Sequence, residues 1–263
     1  MRRKIKDINE LTPVDTFYNV GGFFEKMYFK RDDLYLPFED RPKLGGGKVR
    51  QTINLFEEFK DRLANYNGVV TYASVNSPQA VIVSRVCKMY GFKSVITFGV
   101  NGTTDSVITT HKPIRECYEL GSELLNVAKI GYNNVLLSRT EEIAKEKNYY
   151  IIHFGINIDE APFSLTESVT NQVENIPDEL DFLVVPVGSG IQLGAILYGI
   201  KKFNKKVGRV IGIQISGYDR SGTIDKIRGH LGATDIPYEQ VVDKTYPYST
   251  HLNFLVKGAD SFR

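Results

Sequence analysis

Apolar positions along this chain switch between two periods. Over residues 48–65, Ile53, Leu55, Phe56, Phe59 and Leu63 fall at a spacing that puts them on one side of a helix. Residues 68–73, 94–98, 123–127, 149–153, 182–186 and 210–215 are short apolar runs that predict strands, the one at 182–186 buried; a further strand is expected at 27–31. Residues 77–90 predict a helix with Ser77 as N-cap, Pro78 at the first helical position and Gly91 as the stop. Further helices are expected at 112–120, 138–147, 164–175 and 191–203. Strand and helix therefore alternate, the rhythm of an α/β chain whose mostly parallel, open twisted sheets are covered by helices. Beyond Ser216, Gly217, Gly222, Gly229, Gly232, Pro237 and Pro247 predict loops around one short helix. No internal repeat and no low-complexity linker interrupts the pattern.

Residues 182–200 carry no charge and are long enough to raise a membrane span, but they include Pro186, four glycines, Ser189 and Gln192. They read instead as strand, turn and helix. The 263 residues, 42% of them hydrophobic, suffice for one large or two modest domains, which excludes a disordered or fibrous chain. Lysine and arginine number 33 against 31 acidic residues, a net of +2, with only a local basic cluster at Arg2, Arg3, Lys4 and Lys6. Composition thus gives no argument for an obligatory nucleic-acid partner. Two cysteines make no disulfide framework, and the N-terminus lacks the apolar stretch of a secretory signal, so a cytoplasmic protein is expected.

Three segments are candidates for chemistry. Gly45, Gly46, Gly47 and Lys48 place a lysine at a helix start; this is no nucleotide P-loop, because Pro42 stands where glycine is needed and Val49 where serine or threonine is needed. Gly188, Ser189, Gly190, Ile191 and Gln192 join a buried strand to a helix. Gly194 follows Gly190 by four places rather than three, which does not fit a dinucleotide fingerprint but leaves backbone N–H groups able to hold a phosphate. Residues 71–79 run from a strand to the helix start at Ser77, where N–H groups could hold a carboxylate. Each segment also has a plain reading: a flexible turn, a steric strand-to-helix turn, and ordinary N-capping. Together, two anion sites and a lysine suit pyridoxal phosphate with an amino acid. His111, His153, His230 and His251 have no ligand spacing, so no metal is expected. Cys87 reads as core, and Asp32 and Asp33 beside Lys30 and Arg31 read as a loop-positioning ion-pair cluster.

Lys30-Arg31-Asp32-Asp33-Leu34, the 44–50 segment, Ser74 to Ser77 and Val187 to Gly190 occur in the order and approximate spacing of the tryptophan-synthase-β-like (fold type II) pyridoxal-phosphate enzymes. Within that family the chain most resembles the branch of aminocyclopropane-carboxylate deaminase and D-cysteine desulfhydrase. The resemblance implies pyridoxal 5'-phosphate bound covalently through Lys48, its phosphate wrapped by Gly188, Ser189, Gly190, Ile191 and Gln192, and a substrate carboxylate facing Ser77, Pro78 and Gln79. Ser77 is implied as a second catalytic group, and Tyr218 and Tyr246 as site-lining residues. It also implies a large cofactor domain (1–48 and 155–263), a small inserted αβ domain (49–154), and a homodimer. Departures are Gly47 and Pro78, where the branch usually has asparagine, and a shortened C-terminal part, since relatives continue past the equivalent of Arg263; Ser249 or Thr250 is left to meet the ring nitrogen.

The activity implied is a deaminase or elimination-type lyase working at Cα or Cβ of an amino acid. Sequence leaves open whether Arg50 is the charge that depresses the Lys48 pKa. Two other readings stand beside it. One is a decarboxylase or lyase acting on an amino acid attached to a larger molecule such as modified DNA; the other is a non-catalytic partner subunit that keeps the fold.

Overall fold

The computed structural model describes residues 6–39, 44–129, 132–156, 158–214 and 219–242. It opens with an antiparallel hairpin, β1 (Val14–Val20) and β2 (Phe24–Lys30), paired from Val14 opposite Lys30 to Val20 opposite Phe24. The strand expected at 27–31 is the second arm of this hairpin. Its first arm is hard to see in the sequence, because Phe17 and Tyr18 are adjacent, both exposed, and break the alternation. Helices α1 (Gly47–Glu58) and α2 (Lys60–Leu63) fill the helical stretch expected at 48–65, with a break at Phe59.

The chain divides into two compact units within α1. One comprises the described residues up to Arg50 and those from Ala161 onward; the other is Gln51–Glu160.

The second unit contains β3 (Gly68–Tyr72), α3 (Pro78–Tyr90), β4 (Ser94–Gly99), α4 (Thr104–Thr110), α5 (Lys112–Glu119), β5 (Glu123–Ala128), α6 (Asn133–Lys147) and β6 (Tyr149–Ile152). Its parallel sheet has the order β5-β4-β3-β6. The two central strands are buried at every residue, as a sheet covered on both faces requires, and their polar residues Thr71, Ser94 and Thr97 are buried with the rest. Ser77 caps α3 and Gly91 ends it in the left-handed region at φ 75°. Cys87 lies wholly buried on α3, and burial pushes its thiol pKa up, consistent with a packing role. Helix α4 was not expected: its sequence TDSVITT buries only Val107, and its start is set by Thr103, whose side chain accepts from the Ser106 N–H at 3.3 Å.

The first unit resumes with α7 (Pro162–Thr170), a 3-10 turn at Asn171–Val173, β7 (Glu179–Val187), α8 (Ile191–Lys202), β8 (Lys206–Gln214), α9 (Ser221–His230) and β9 (Glu239–Val242). Its parallel sheet has the order β7-β8-β9. Strands β7 and β8 are exposed where they begin and buried where they end, so the apolar core formed by Val185, Val187, Leu193, Leu197, Val210 and Ile224 gathers toward their carboxyl ends. The uncharged stretch at 182–200 is strand, turn and helix, and no helix among the described residues is long and apolar enough to cross a membrane.

Within the second unit, Arg85 Nε on α3 donates to Glu116 Oε1 on α5 at 2.9 Å, and both side chains are buried. Glu116→Ala takes the carboxylate from a buried guanidinium and is expected to cost about 3–5 kcal/mol in urea unfolding. Replacing both residues with apolar side chains of similar volume is expected to recover most of that loss.

Candidate active site

The three glycines before Lys48 have separate steric reasons. A Cβ on Gly45 would overlap the Tyr35 carbonyl oxygen, Gly46 has φ +81°, and a Cβ on Gly47 would overlap Gln192 Nε2. This run is therefore a close-packed approach of backbone to its neighbours rather than a flexible turn. The N–H groups of Val49 and Arg50 donate to the Gly46 carbonyl at 3.0 and 3.2 Å, which starts α1 and puts Lys48 in its first turn.

Arg50 is fully buried, with its guanidinium 3.7 Å from the centre of the Tyr35 ring and Nε donating to Asp32 Oδ1 at 3.1 Å. Arg31 pairs with Asp15 at 2.6 Å and with Asp33 at 2.8 Å. The charged residues 31–33 thus act as the positioning cluster that their sequence suggested.

Gly188, Ser189 and Gly190 carry the chain from β7 into α8. Gly190, at φ +93°, lies so close to α9 that a Cβ on it would be 3.0 Å from Ile224 Cγ1 and 3.5 Å from the Arg220 carbonyl oxygen. The N-cap of α8 is Gly190, and among the described residues no side-chain cap bond serves the helix, whose first N–H groups have no intrahelical acceptor. A Cβ on Gly188 would meet nothing within 4 Å among the described residues, so the turn has open space there on that side. Lys48, Gln192 and the turn from Gly188 to Ile191 belong to one unit, and the contact of Gly47 with Gln192 brings the starts of α1 and α8 together.

The Lys48 pKa is lowered to about 8, chiefly because burial disfavours the ammonium form and further by the positive charge of Arg220. The charge beside Lys48 is therefore Arg220, which immediately precedes α9, and Arg50 is engaged with Asp32 instead. An amine that is half neutral near pH 8 can attack a carbonyl and take up a proton. An uncapped helix start with open space beside it, near a second cation, favours a phosphate through free N–H donors and the helix dipole. An aldehyde and a phosphate are two of the functional groups of pyridoxal 5'-phosphate, so the residues present fit that cofactor at both.

A model of the pyridoxal-phosphate-dependent enzyme family matches residues 17–239. The chain belongs to this family. Its cofactor is pyridoxal 5'-phosphate and its fold is the tryptophan-synthase-β-like one. Curated relatives include an O-seryl-dTMP PLP-dependent decarboxylase of Salmonella phage ViI, 27% identical over 189 residues that cover 67% of this chain and 43% of the relative. The catabolic L-threonine dehydratase of Escherichia coli K12 is 24% identical over 198 residues, covering 73% of this chain and 55% of the relative. The chain thus spans about half the length of the curated relatives it matches. Among solved structures, an aminocyclopropane-carboxylate (ACC) deaminase homologue superposes with a TM-score of 0.70 at 18% identity, covering 99% of this chain and 81% of its own. Maize serine racemase superposes at 0.60 and 18% identity, with 88% of this chain and 71% of its own covered.

For this member of the pyridoxal-phosphate family, the remaining expected residues lie in the second unit or outside the described residues. Ser77 accepts a hydrogen bond from the Gln79 N–H at 3.3 Å, and Pro78 occupies the first position of α3. The Gln79 carboxamide is engaged within its own unit: Nε2 donates to Thr71 Oγ1 at 3.1 Å and to the His153 carbonyl at 3.0 Å, and Oε1 accepts from the Gly155 N–H at 2.9 Å. Tyr218, Tyr246, Ser249 and Thr250 lie outside the described residues. Sequence reasoning missed Arg220, which sits in a stretch read only as loop, and missed the seat of Gln192 on Gly47, for which glycine at position 47 was the one hint.

Because like charge lowers a lysine pKa, Arg220→Gln is expected to move the midpoint of Lys48 titration to higher pH. Amine labelling of the cofactor-free protein as a function of pH, followed by peptide mapping, reads that midpoint directly.

Proposed function

We propose that this chain breaks a bond to Cα of an amino-acid substrate, with Lys48 as the residue that carries the cofactor. The observation that supports this most is an amine with a pKa of about 8 in the first turn of α1, next to the uncapped start of α8. Pyridoxal 5'-phosphate, when bound, supplies a ring that accepts the electrons of a bond broken at Cα. The Gly188–Gln192 turn would hold its phosphate through backbone N–H groups, and Arg220 would add positive potential there. Lys48 Nζ would hold the cofactor's aldehyde and, as a neutral amine, would take a proton from Cα or return one to it. Burial, together with Arg220, keeps a usable fraction of that amine neutral near neutral pH. To the start of α3 we assign the substrate carboxylate, with Ser77 beside it.

In the first form of this reading the reaction is an elimination or deamination of a free amino acid, which the similarity to a threonine dehydratase supports. In the second form the amino acid is carried on a nucleotide and loses its carboxylate. The similarity to the phage decarboxylase favours this form, since its identity of 27% is the higher of the two.

Incubation with pyridoxal 5'-phosphate, borohydride reduction and peptide mapping are expected to fix the cofactor on Lys48, and Lys48→Ala is expected to abolish turnover. Robust turnover by that variant contradicts the proposal; the absence of an adduct on Lys48 contradicts it too and points to a non-catalytic member of the fold. Ammonia release from D-cysteine, D-serine or aminocyclopropane carboxylate identifies the first form, and carbon dioxide release from O-seryl-dTMP identifies the second. Ser77→Ala is expected to cost about 1 kcal/mol of stability as a lost cap, and to raise KM for the substrate more than it lowers kcat.

A further inference from the structure

Gln192 is the second residue of α8, yet its side chain lies along the start of α1. A Cβ on Gly47 would overlap its Nε2 and would stand 2.7 Å from its Cδ and 3.4 Å from its Cγ. The whole carboxamide is therefore seated on the Cα of Gly47, in the volume that a side chain at position 47 would occupy. Holding a glutamine in one place costs side-chain entropy, and at a helix start it has solvent as the alternative. Next in the chain is Lys48, whose long stem has many rotamers and is confined only by what stands beside it. Gly47 and Gln192 thus form a matched pair, one lacking a side chain and the other filling its space, at the point where the lysine's helix meets the turn before α8.

We propose that Gln192 is a positioning residue for Lys48: seated on Gly47, it fixes the first turn of α1 against the Gly188–Gln192 turn, and position 47 lacks a side chain in order to admit it. The role is steric, and it rests on the reading of Lys48 as the cofactor-carrying residue. Any side chain at 47 expels the carboxamide. The atoms it would meet belong to the far end of a flexible side chain, so Gly47→Ala disturbs Gln192 without breaking the fold.

Gly47→Ala, Gln192→Ala, the double variant and Gln192→Met test this in the full chain. Two readouts are taken: the dissociation constant of pyridoxal 5'-phosphate, followed by its visible absorption, and the pH midpoint of Lys48 labelling in the cofactor-free protein. Gly47→Ala and Gln192→Ala are each expected to weaken cofactor binding by about fivefold, the scale of coupling between touching residues, and to shift the labelling midpoint. In the Gln192→Ala background, adding Gly47→Ala is expected to cause no further loss, because the methyl group then fills empty space. Gln192→Met, which keeps the bulk, is expected to hold the labelling midpoint of the cofactor-free protein closer to wild type than Gln192→Ala does. Wild-type behaviour of Gln192→Ala overturns the proposal, as does an equal loss from Gly47→Ala in both backgrounds. If Gln192→Ala fails to fold, Gly47→Ala against Gln192→Met still decides it. A wild-type protein that forms no adduct on Lys48 refutes the cofactor-carrying role, whereas the labelling midpoints in the cofactor-free variants judge the Gln192 role separately.

Discussion

The start of α1 meets the start of α8 through the Gln192 carboxamide, which fills the space a Cβ at position 47 would take, and the candidate site is built on that contact. It brings a lysine in the first turn of one helix to the uncapped N–H groups of another. Close packing on the opposite side, where Gly45 lies on the Tyr35 carbonyl and Arg50 is buried over the Tyr35 ring, fixes the direction in which α1 leaves the glycine run. The ion pairs of Arg31 with Asp15 and Asp33, and of Arg50 with Asp32, brace that side. A glycine run that alone suggests flexibility is thus a close-packed junction, Gly45 and Gly47 facing different neighbours and Gly46 taking a left-handed backbone conformation.

Electrostatics at the junction follow from the same geometry. Burial makes the ammonium form of Lys48 costly, and Arg220 adds to that cost, so the amine titrates at about 8 instead of at the ordinary lysine value. The same cation and the start of α8 favour an anion. On the proposed reading, one arrangement would make a lysine reactive and provide for a phosphate, which is the combination a pyridoxal-phosphate enzyme needs.

Much of the fold was legible in the sequence because its elements obey strong local rules. Central strands β3 and β4 carry β-branched and aromatic residues flanked by turn signals, and α3 carries Ser77, Pro78 and Gly91 where a cap, a first-turn proline and a stop belong. Elements that escaped notice are held by something other than periodicity. The first arm of the hairpin shows two adjacent exposed aromatics, α4 buries one residue, and β9 is a four-residue strand at the edge of its sheet. In the candidate site, Lys48 and the Gly188–Gln192 turn stand out in the sequence because a lysine after glycines and a glycine turn after an apolar strand are local signals. Arg220 was not, since its effect on Lys48 depends on how α9 packs against the turn. Gln79 illustrates the converse: its carboxamide serves β3 and the segment after β6, partners that spacing along the chain does not reveal.

The central claim is that the phosphate and the aldehyde of the cofactor are held by separate parts of this junction. Phosphorus-31 NMR of Lys48→Ala titrated with pyridoxal 5'-phosphate, set beside binding of pyridoxal without its phosphate, tests it most directly. The account predicts that the variant still binds pyridoxal 5'-phosphate, with a shifted phosphorus resonance whose dianion persists to lower pH than in free solution, and that it does not retain pyridoxal. Equal binding of the two compounds, or a phosphorus resonance that titrates as in water, would contradict it.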